Sequence, residues 1–438
     1  MVEVDLSLSA FSFSKFNYSL TTFQNRNFNH NLQDSPSTVD RFKINMVYTG
    51  SPNTLKILEK LVGFDTTSYR SNLELIDYIS KYLSDFNISS QLIFNAEKSK
   101  ANLFATIGSG GHGGVLLSGH TDVVPVAGQH WDTDPFKLNI AEGRAYGRGT
   151  CDMKGFIACA LAAVPDMVQA ELAAPIHLAF SYDEEVGCAG VGHLIEYLRL
   201  TELDIDACII GEPSSLKPVT AHTGKSVFKC KFNGTPMHSS LAPEGVNAIS
   251  YAAEVLHRIN QIECSAKMLT IEDIRFKHPH PTLNIGQIQG GKAVNIVAEY
   301  CEFDVEYRYP PGGEADYLAS TLPDIVREVA HIPMSAIASS ASASCERIVD
   351  YPAFKGDFRS SASRLVRRLT GSNSDTAVNY GTEAGLFQKD GFSSVVCGPG
   401  DIAQAHQPNE FIELSQLEKC DAFMAALVQE LAIEEAIS

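Results

Sequence analysis

The chain has 438 residues, of which 44% are apolar, so it is long enough to bury a substantial core in two or three domains. Its 34 basic and 52 acidic residues give a formal net charge of −18, and so acidic a surface disfavours nucleic acid as a partner. Since no stretch approaches the roughly 20 consecutive apolar residues that span a bilayer, we also expect no membrane partner. Ten scattered cysteines without a CxxC pair are typical of reduced thiols in a cytoplasmic protein.

The first 45 residues differ in composition from the rest of the chain. They are rich in Ser, Asn and Phe, show no sustained period, and lack the features of a secretory signal or a transit peptide. We therefore expect a disordered extension over 1–45, or a start codon placed too early, since Met46 directly precedes the first helix. That helix has Ser51 as its N-cap and Pro52 at its first position.

Short apolar runs alternate with helical segments between residues 100 and 212. The runs are GVLLSG (114–119), IHLAFSY (176–182) and DACIIGE (206–212), and the apolar helix MKGFIACALAAV lies between the first two. Strands that are apolar on both faces and alternate with helices indicate a parallel sheet covered on both sides. We interpret residues 46–218 as the first part of an α/β catalytic domain.

The pattern changes after Pro218. The run VAEYCEFDVEYR alternates apolar with charged positions, which is typical of an antiparallel sheet with one solvated face. The order of elements, near strand, helix, strand, strand, helix, strand, predicts a ferredoxin-like α+β domain inserted over 219–350. The apolar run SSVVCGPG then returns to the earlier pattern, so we expect residues 351–438 to form the second part of the catalytic domain.

Two glycine-rich stretches argue against a nucleotide-dependent enzyme. GSGGHGG (108–114) lies between two strand-like segments with no helix following, which indicates a flexible turn. GQIQGGKA (286–293) nearly matches a phosphate-binding loop, but Ala293 replaces the magnesium-binding Ser or Thr and a strand follows instead of a helix.

Polar side chains follow the ends of the apolar strands. They are His120 and Asp122, Glu184 and Glu185, Glu212, and His406, while Asp152 comes just before the apolar helix. Because the carboxyl ends of parallel strands meet at one edge of a sheet, we expect these side chains to face one crevice. Two histidines and several carboxylates supply the nitrogen and oxygen ligands of a two-zinc site, with one carboxylate left over as a base.

The motifs around these residues follow one another in a particular order. They are SGHTDVVP, YGRGTCDMKG, DEE, GEPS, GTPMHSS, GGKAVN and AHQPNEF. Their order resembles that of the metalloaminoacylase and dinuclear-zinc carboxypeptidase superfamily, over nearly all of residues 50–430. Within it the chain looks most like the acetylornithine deacetylases, through GEPSSLKPVTAHTG, PTLNIGQIQGGKAVN, NYGTEA and GPGDIAQAHQPNEF. The N-terminal extension, and a Met where Gly usually precedes His-Ser-Ser, depart from the pattern.

The resemblance implies a ligand assignment for two zinc ions, with cobalt as a possible substitute. His120, Asp152 and Glu212 would hold one ion. Asp152, Glu185 and His406 would hold the other. Asp152 would bridge, because its two oxygens can span metals about 3.5–4 Å apart.

The resemblance also implies roles for residues beside the ligands. Glu184 would hold a proton taken from the bridging water, whose pKa the metals lower towards 7. Asp122 would accept the second N–H of the His120 imidazole and fix its coordinating tautomer. His238 would stabilise the tetrahedral oxyanion, often in the partner subunit's site; without the family, a surface-loop histidine is the simpler interpretation.

Three further residues are implied to contact the substrate, namely Asn295, Arg308 and Glu383. Arg308 suits a carboxylate because its guanidinium can pair with both oxygens, and the alternative is a cross-strand partner for a neighbouring acid. Because the family pairs through the inserted domain, we expect a homodimer formed there.

The predicted function is zinc-dependent hydrolysis of a small N-acyl amino acid in the cytoplasm. The resemblance implies removal of acetyl from the α-nitrogen of ornithine, a step of arginine biosynthesis. The alternatives are a succinyl-diaminopimelate desuccinylase, a general aminoacylase and a carboxypeptidase, which share the zinc site and differ in the pocket. A non-catalytic binding protein on this scaffold would have lost the base or a ligand, and all are present.

Overall fold

A computed structural model of the protein describes residues 48–109, 113–201, 203–266, 273–312 and 315–433. The predicted extension over 1–45 and residues 110–112 of the glycine-rich turn lie outside the described residues. The chain from Asn45 onward forms one compact unit.

The helices within the described ranges are α1 (Pro52–Val62), α2 (Leu73–Ser84), α3 (Lys154–Ala162), α4 (Val164–Gln169), α5 (Val191–Leu200), α6 (Ala248–Ala266), α7 (Ala315–Val326), α8 (Ile332–Ile337), α9 (Ser361–Thr370), α10 (Ala384–Lys389) and α11 (Leu414–Leu431). None of these helices is both long and apolar enough to cross a bilayer. Short 3₁₀ segments lie at Ser239–Glu244 and Ile402–Gln404, and a π-helical turn at Arg327–His331 joins α7 to α8.

The strands in the same ranges are β1 (Ser90–Phe94), β2 (Ala101–Ile107), β3 (Gly114–His120), β4 (Asn139–Ala141), β5 (Arg144–Tyr146), β6 (Ile176–Ser181), β7 (Ile205–Pro213), β8 (Val219–His222), β9 (Gly224–Asn233), β10 (Thr282–Gly290), β11 (Tyr300–Tyr309), β12 (Ser342–Tyr351), β13 (Phe354–Lys355), β14 (Thr376–Val378), β15 (Ser394–Gly398) and β16 (Phe411–Glu413).

Helix α1 begins where its sequence predicts. The Ser51 side chain accepts a hydrogen bond from the backbone N–H of Asn53, which caps one of the unpaired donors of the first turn. Pro52 occupies the first helical position, where its missing N–H leaves no acceptor unpaired. Leu58 and Leu61 lie at helical spacing and are fully buried, so the helix is held against the core by its apolar face.

The main sheet has the strand order β1-β2-β6-β3-β7-β15-β8-β13, with β14 paired to β8. Its central neighbours β6, β3, β7 and β15 pair in parallel, whereas β1–β2, β2–β6 and β15–β8 are antiparallel. Every residue of β3 and β6 is buried, which explains why both strands have nearly continuous apolar sequences. The predicted α/β fold with a mostly parallel central sheet is confirmed.

The main sheet separates two hydrophobic cores. One core contains Leu58 of α1, Phe156 of α3 and Leu417 of α11. The other contains Leu194 of α5 and Phe387 of α10. Successive residues of β7 alternate between the two cores, because neighbouring side chains of a strand point to opposite faces. Helices therefore cover both faces of the sheet, as predicted.

A second sheet has the order β10-β11-β9-β12 and is antiparallel throughout. Every second residue of β11 is buried, in agreement with its alternating sequence. Phe228 and Phe232 of β9 share a core with Val255 of α6 and Leu322 of α7. From β9 to β12 the order of strands and helices is the one expected for a ferredoxin-like unit. The domain boundaries at 219 and 350 stay a prediction.

Candidate metal centre

The five predicted metal ligands lie at the carboxyl edge of the main sheet. His120 is the last residue of β3, and Glu212 is the last but one of β7. Glu185 lies in the turn after β6, His406 lies in the loop after β15, and Asp152 lies two residues before α3. The structure brings these five side chains together because the parallel strands end at one edge.

Three of these side chains form a buried group. The Nε2 atom of His120 lies 3.0 Å from Oδ1 of Asp152 and 3.6 Å from Oε1 of Glu212. All three residues are buried, and one ligand atom from each lies within 4.8 Å of the other two. One nitrogen and two carboxylates at this spacing can coordinate a single ion.

A second group shares Asp152 with the first. The Nε2 atom of His406 lies 3.2 Å from Oδ2 of Asp152 and 3.0 Å from Oε2 of Glu185. The two oxygens of Asp152 are thus directed to different histidines. His406 is the most exposed member, with 49% of its side chain accessible.

The carboxylates of the two groups repel one another. Burial, followed by repulsion from Asp152, raises the pKa of Glu185 to about 7 and holds the pKa of Glu212 well above its usual range. Hydrogen bonds to Asp152 and Glu185 raise the pKa of His406 to about 10. Because the carboxylates outnumber the imidazoles, this donor set fits divalent cations such as zinc. Among the described residues, these are the two groupings of His, Cys, Asp and Glu close enough to hold an ion.

Asp122 contacts His120 in a different way from the one expected. The Nδ1 atom of His120 lies 2.9 Å from the backbone carbonyl oxygen of Asp122, whereas the carboxylate oxygen is 3.6 Å away. The carboxylate instead accepts hydrogen bonds from the Ser68 hydroxyl and from the backbone N–H groups of Glu184 and Glu185. Asp122 therefore orients His120 through its backbone carbonyl and holds the acidic turn after β6 with its side chain.

Glu184 lies beside a ligand but outside both groups. Its Oε1 accepts a hydrogen bond from the Cys188 thiol at 3.4 Å. Burial, together with repulsion from Glu185, holds the pKa of Glu184 well above its usual range, although attraction to His120 opposes the shift. The turn that carries both glutamates is anchored at Asp183, which pairs with Lys100.

His238 and Asn295 lie together on the surface, next to the second sheet. The Nδ1 atom of His238 lies 2.8 Å from the Ser240 hydroxyl oxygen, and the backbone carbonyl of Asn295 accepts a hydrogen bond from the N–H of Ser239. Both predicted residues are exposed, and none of their described contacts is with the metal-ligand groups. The structure therefore places His238 next to Asn295, and neither of them contacts the metal-ligand groups.

Arg308 lies on β11 and pairs with an acid. Its Nε donates to Oε1 of Glu306 at 2.7 Å, and its guanidinium also reaches the backbone carbonyl of Asn379 at 3.4 Å. The predicted alternative was a cross-strand acid, whereas Glu306 is on the same strand, two residues earlier. Lys225 of β9 pairs with the same carboxylate at 3.0 Å.

Glu383 is buried against two strands of the main sheet. Its side chain is 1% exposed, and its carboxylate accepts hydrogen bonds from the hydroxyls of Ser181 at 2.5 Å and Ser118 at 3.4 Å. Burial raises the pKa of Glu383 to about 7. The structure places Glu383 against the hydroxyls of β3 and β6, and its role as a substrate contact stays a prediction.

Sequence reasoning missed a buried ion pair next to the ligands. Arg148 donates to Glu410 at 2.7 Å, and each side chain is 1% exposed. Both residues lie within the motifs that contain Asp152 and His406, which is the one signal that could have identified them. Residue type alone could not have identified Arg148 and Glu410, because Arg and Glu side chains are rarely buried and are expected at the surface.

Comparisons with known proteins agree with this geometry. The chain is 35% identical to acetylornithine deacetylase from Myxococcus xanthus over 388 residues, which cover 85% of this chain and 95% of that protein. It is 35% identical to acetylornithine deacetylase from Proteus mirabilis over 373 residues, which cover 85% of this chain and 93% of that protein. An M20 family metallo-carboxypeptidase from Sulfolobus solfataricus shares the fold, with a TM-score of 0.69 and 18% identity, over 86% of this chain and 98% of that one.

The fold, the histidine–carboxylate groups and these relatives define a metal-dependent hydrolase that acts on amides. The chain belongs to peptidase family M20/M25/M40, whose family model matches residues 116–430. The resemblance identified from the order of the motifs is confirmed.

Proposed function

We propose that the protein hydrolyses N2-acetyl-L-ornithine to L-ornithine and acetate. The observation that carries the proposal is the 35% identity to two acetylornithine deacetylases over more than nine-tenths of their length. The metal-ligand groups are compatible with other small N-acyl amino acids too, because they act on the amide and not on the rest of the substrate. The substrate is therefore the part of the proposal that an assay must decide.

Two divalent cations fit the paired ligand groups. His120, Asp152 and Glu212 would hold one, and Asp152, Glu185 and His406 would hold the other. Bound zinc, or cobalt in its place, supplies a Lewis acid for the amide carbonyl and lowers the pKa of coordinated water. The shared carboxylate of Asp152 would hold both ions in one site, since each of its oxygens faces a different histidine.

Glu184 is the proposed general base. It neighbours Glu185 along the chain but belongs to neither ligand group, so its carboxylate remains available for proton transfer. Burial holds the pKa of Glu184 well above its usual range. A carboxyl group of this kind takes a proton from the attacking water and holds it long enough to deliver it to the leaving α-nitrogen. The hydrogen bonds that the Asp122 carboxylate accepts from the backbone N–H groups of residues 184 and 185 keep that carboxyl in place.

Arg308 and Asn295 are the proposed contacts of the substrate α-carboxylate. The guanidinium of Arg308 is already oriented by Glu306, which lowers the entropy lost when a second carboxylate binds. Asn295 is exposed and offers an amide donor from a loop beside His238. A planar cation and an amide donor are suited to a carboxylate, which every N-acyl amino acid carries.

We further propose that two copies of the chain pair through the second sheet, so that His238 of one copy serves the site of the other. β10 is an edge strand of that sheet and presents unpaired backbone groups. Large apolar side chains are exposed near this edge, namely Leu241, Ile249, Ile288, Val294 and Ile296. Apolar side chains in such a group favour burial against a second copy. Pairing would also explain why His238 lacks contacts with its own metal-ligand groups.

A substrate panel with controlled metal content tests the proposed function. The protein is freed of metal by chelation, reloaded with zinc or cobalt, and assayed on acetylornithine, acetylmethionine, succinyl-diaminopimelate and a dipeptide. We expect kcat/KM to be highest for acetylornithine, by at least about tenfold. A clear preference for another compound would contradict the substrate, whereas full activity in the metal-free protein would contradict the proposed chemistry.

A further inference from the structure

We propose that Glu410 and Arg148 are positioning residues that set the distance between two metal ligands, Asp152 and His406. The inference rests on the proposed metal site and extends it to two residues that belong to neither ligand group. Its basis is a continuous set of hydrogen bonds that joins the backbone of one ligand-bearing loop to that of the other.

Glu410 holds the loop that ends in Asp152. Its Oε1 accepts hydrogen bonds from the backbone N–H groups of Cys151 at 2.9 Å and Asp152 at 3.1 Å. Its Oε2 accepts from the backbone N–H of Gly149 at 3.0 Å and from Arg148 at 2.7 Å. One fully buried carboxylate thus accepts hydrogen bonds from three backbone N–H groups within residues 149–152, which leaves the loop little freedom to move.

Arg148 extends these contacts to the other ligand. The Nη2 atom of Arg148 donates to Oε1 of Gln129 at 2.6 Å. The Nε2 atom of Gln129 in turn donates to the backbone carbonyl of His406 at 2.9 Å. Arg148 also reaches the carbonyl of Gln407 at 3.4 Å. The guanidinium lies 5.0 Å from the centre of the Trp131 ring, within range of a cation–π contact.

The arrangement matters because the two ligands lie on separate loops. His406 has a half-exposed side chain, so packing around that side chain constrains it weakly, while its left-handed backbone, with φ of 61°, must be held by neighbouring groups. Its position relative to Asp152 depends on the backbone contact through Gln129 and Arg148. Ligands held in place before the ion arrives lose less entropy when they bind it, and outer contacts of this kind commonly change metal affinity by about 10- to 100-fold.

Gln129 and Glu410 contact different metal ligands. Gln129 contacts the loop of His406, which belongs to one ligand group. Glu410 contacts the backbone of Asp152, which belongs to both groups. We therefore expect Gln129→Ala to weaken the binding of one ion and Glu410→Gln to weaken the binding of both.

Calorimetric titration of the metal-free protein with zinc tests this inference without substrate. Gln129→Ala should bind one zinc as the wild type does and the second about 10-fold more weakly, and Glu410→Gln should bind both about 10-fold more weakly or worse. Arg148→Lys, which keeps the charge but loses the planar fork, should resemble Gln129→Ala. Cobalt absorption in the visible range provides a second readout, since it reports the geometry around the ion.

Asp421→Asn is the matched control. The Asp421 carboxylate is also an acceptor of several hydrogen bonds, from Tyr48, Ser51 and Thr54, but it ties α11 to the start of α1, away from the ligands. We expect this variant to lower the melting temperature of the metal-free protein and to leave both zinc affinities unchanged.

The possible results separate the two proposals. If the wild type binds two zinc ions and the folded Gln129→Ala and Glu410→Gln variants bind them equally well, the positioning role is wrong while the metal site stands. If the wild type binds none, the proposed function fails and this inference fails with it. Should Glu410→Gln not fold, unchanged zinc binding by Gln129→Ala and Arg148→Lys would overturn the inference on its own.

Discussion

Glu184 and Glu185 are neighbours in the chain, yet their carboxylates have different partners. Glu185 lies 3.0 Å from Nε2 of His406, whereas Glu184 accepts a hydrogen bond from the Cys188 thiol. The separation arises in a turn that begins with Asp183 at a positive φ of 56°, and Asp122 binds the backbone N–H of both glutamates. Two adjacent residues of the same type are thereby prepared for different tasks.

The first prediction separates these two residues by substitution. Glu184→Gln should retain two metals and lose turnover by about 100-fold or more, because an amide cannot take the proton. Glu185→Gln should lose affinity for one metal, because it removes an anionic ligand from the group of His406. Metal content by atomic absorption, measured beside kcat, distinguishes the two. Loss of metal from Glu184→Gln with full retention by Glu185→Gln would reverse the assignment.

The second prediction concerns acid stability and a histidine far from the ligands. His177 is buried on β6, its Nδ1 lies 2.9 Å from the Thr106 hydroxyl, and its ring stacks on Phe104. Burial lowers the pKa of His177 to about 4. As pH falls below about 6.5, the unfolded chain binds a proton at this residue and the folded chain does not, so the free energy of unfolding decreases until about pH 4.

His177→Gln should remove this contribution. In urea unfolding between pH 7 and pH 4, the variant should lose stability less steeply than the wild type, by up to about 1.4 kcal/mol per pH unit. His130→Gln, at a fully exposed position, is the control and should follow the wild type. If the free energy of unfolding falls with pH equally in the wild type and in His177→Gln, the buried imidazole does not cause the loss of stability in acid.

The sequence predicts the parts of the site that depend on topology alone. His120, Glu185, Glu212 and His406 each follow a strand, and parallel strands end together, so their proximity could be expected before the structure. The sequence does not determine which buried groups a loop side chain meets. The burial of the Glu383 carboxylate against Ser181 therefore could not be read from NYGTEA, and the substrate contact predicted for Glu383 stays a prediction.

Contacts between side chains and backbone groups cannot be predicted from the sequence either. The acceptor for the His120 imidazole is a backbone carbonyl, and the Glu410 carboxylate binds three backbone N–H groups. Every residue has such groups, so no residue type reveals their use. The same limit explains why Arg148 and Glu410 were overlooked although both lie within recognised motifs.

The third prediction concerns Arg308. Arg308→Met should raise KM for acetylornithine about tenfold or more with a smaller change in kcat, because the lost ion pair with the α-carboxylate binds ground state and transition state alike. Lys225→Met is the matched control, since Lys225 pairs with the same Glu306 carboxylate at 3.0 Å. Equal increases of KM in both variants would assign the effect to Glu306 and not to substrate binding.

The last prediction joins His238 to the proposed homodimer. If His238 donates to the oxyanion, its contact strengthens only as negative charge develops, so His238→Ala should lower kcat by about 100-fold with little change in KM. Both metals should remain bound, because His238 is in neither ligand group. Analytical ultracentrifugation of wild type and variant should give the same dimer mass, which separates a catalytic loss from a loss of assembly.

Mixing two inactive proteins shows whether His238 acts across the dimer. A mixed dimer of His238→Ala and Glu184→Gln contains one site with an intact Glu184 from one copy and an intact His238 from the other. At equal mixing half of the dimers are mixed and each has one good site, so activity should recover to about a quarter of the wild type. The exposed position of His238, held at Ser240 and out of contact with its own ligand groups, is the reason to expect recovery. No recovery, with subunit exchange demonstrated by labelled copies, would place His238 in its own site or outside catalysis.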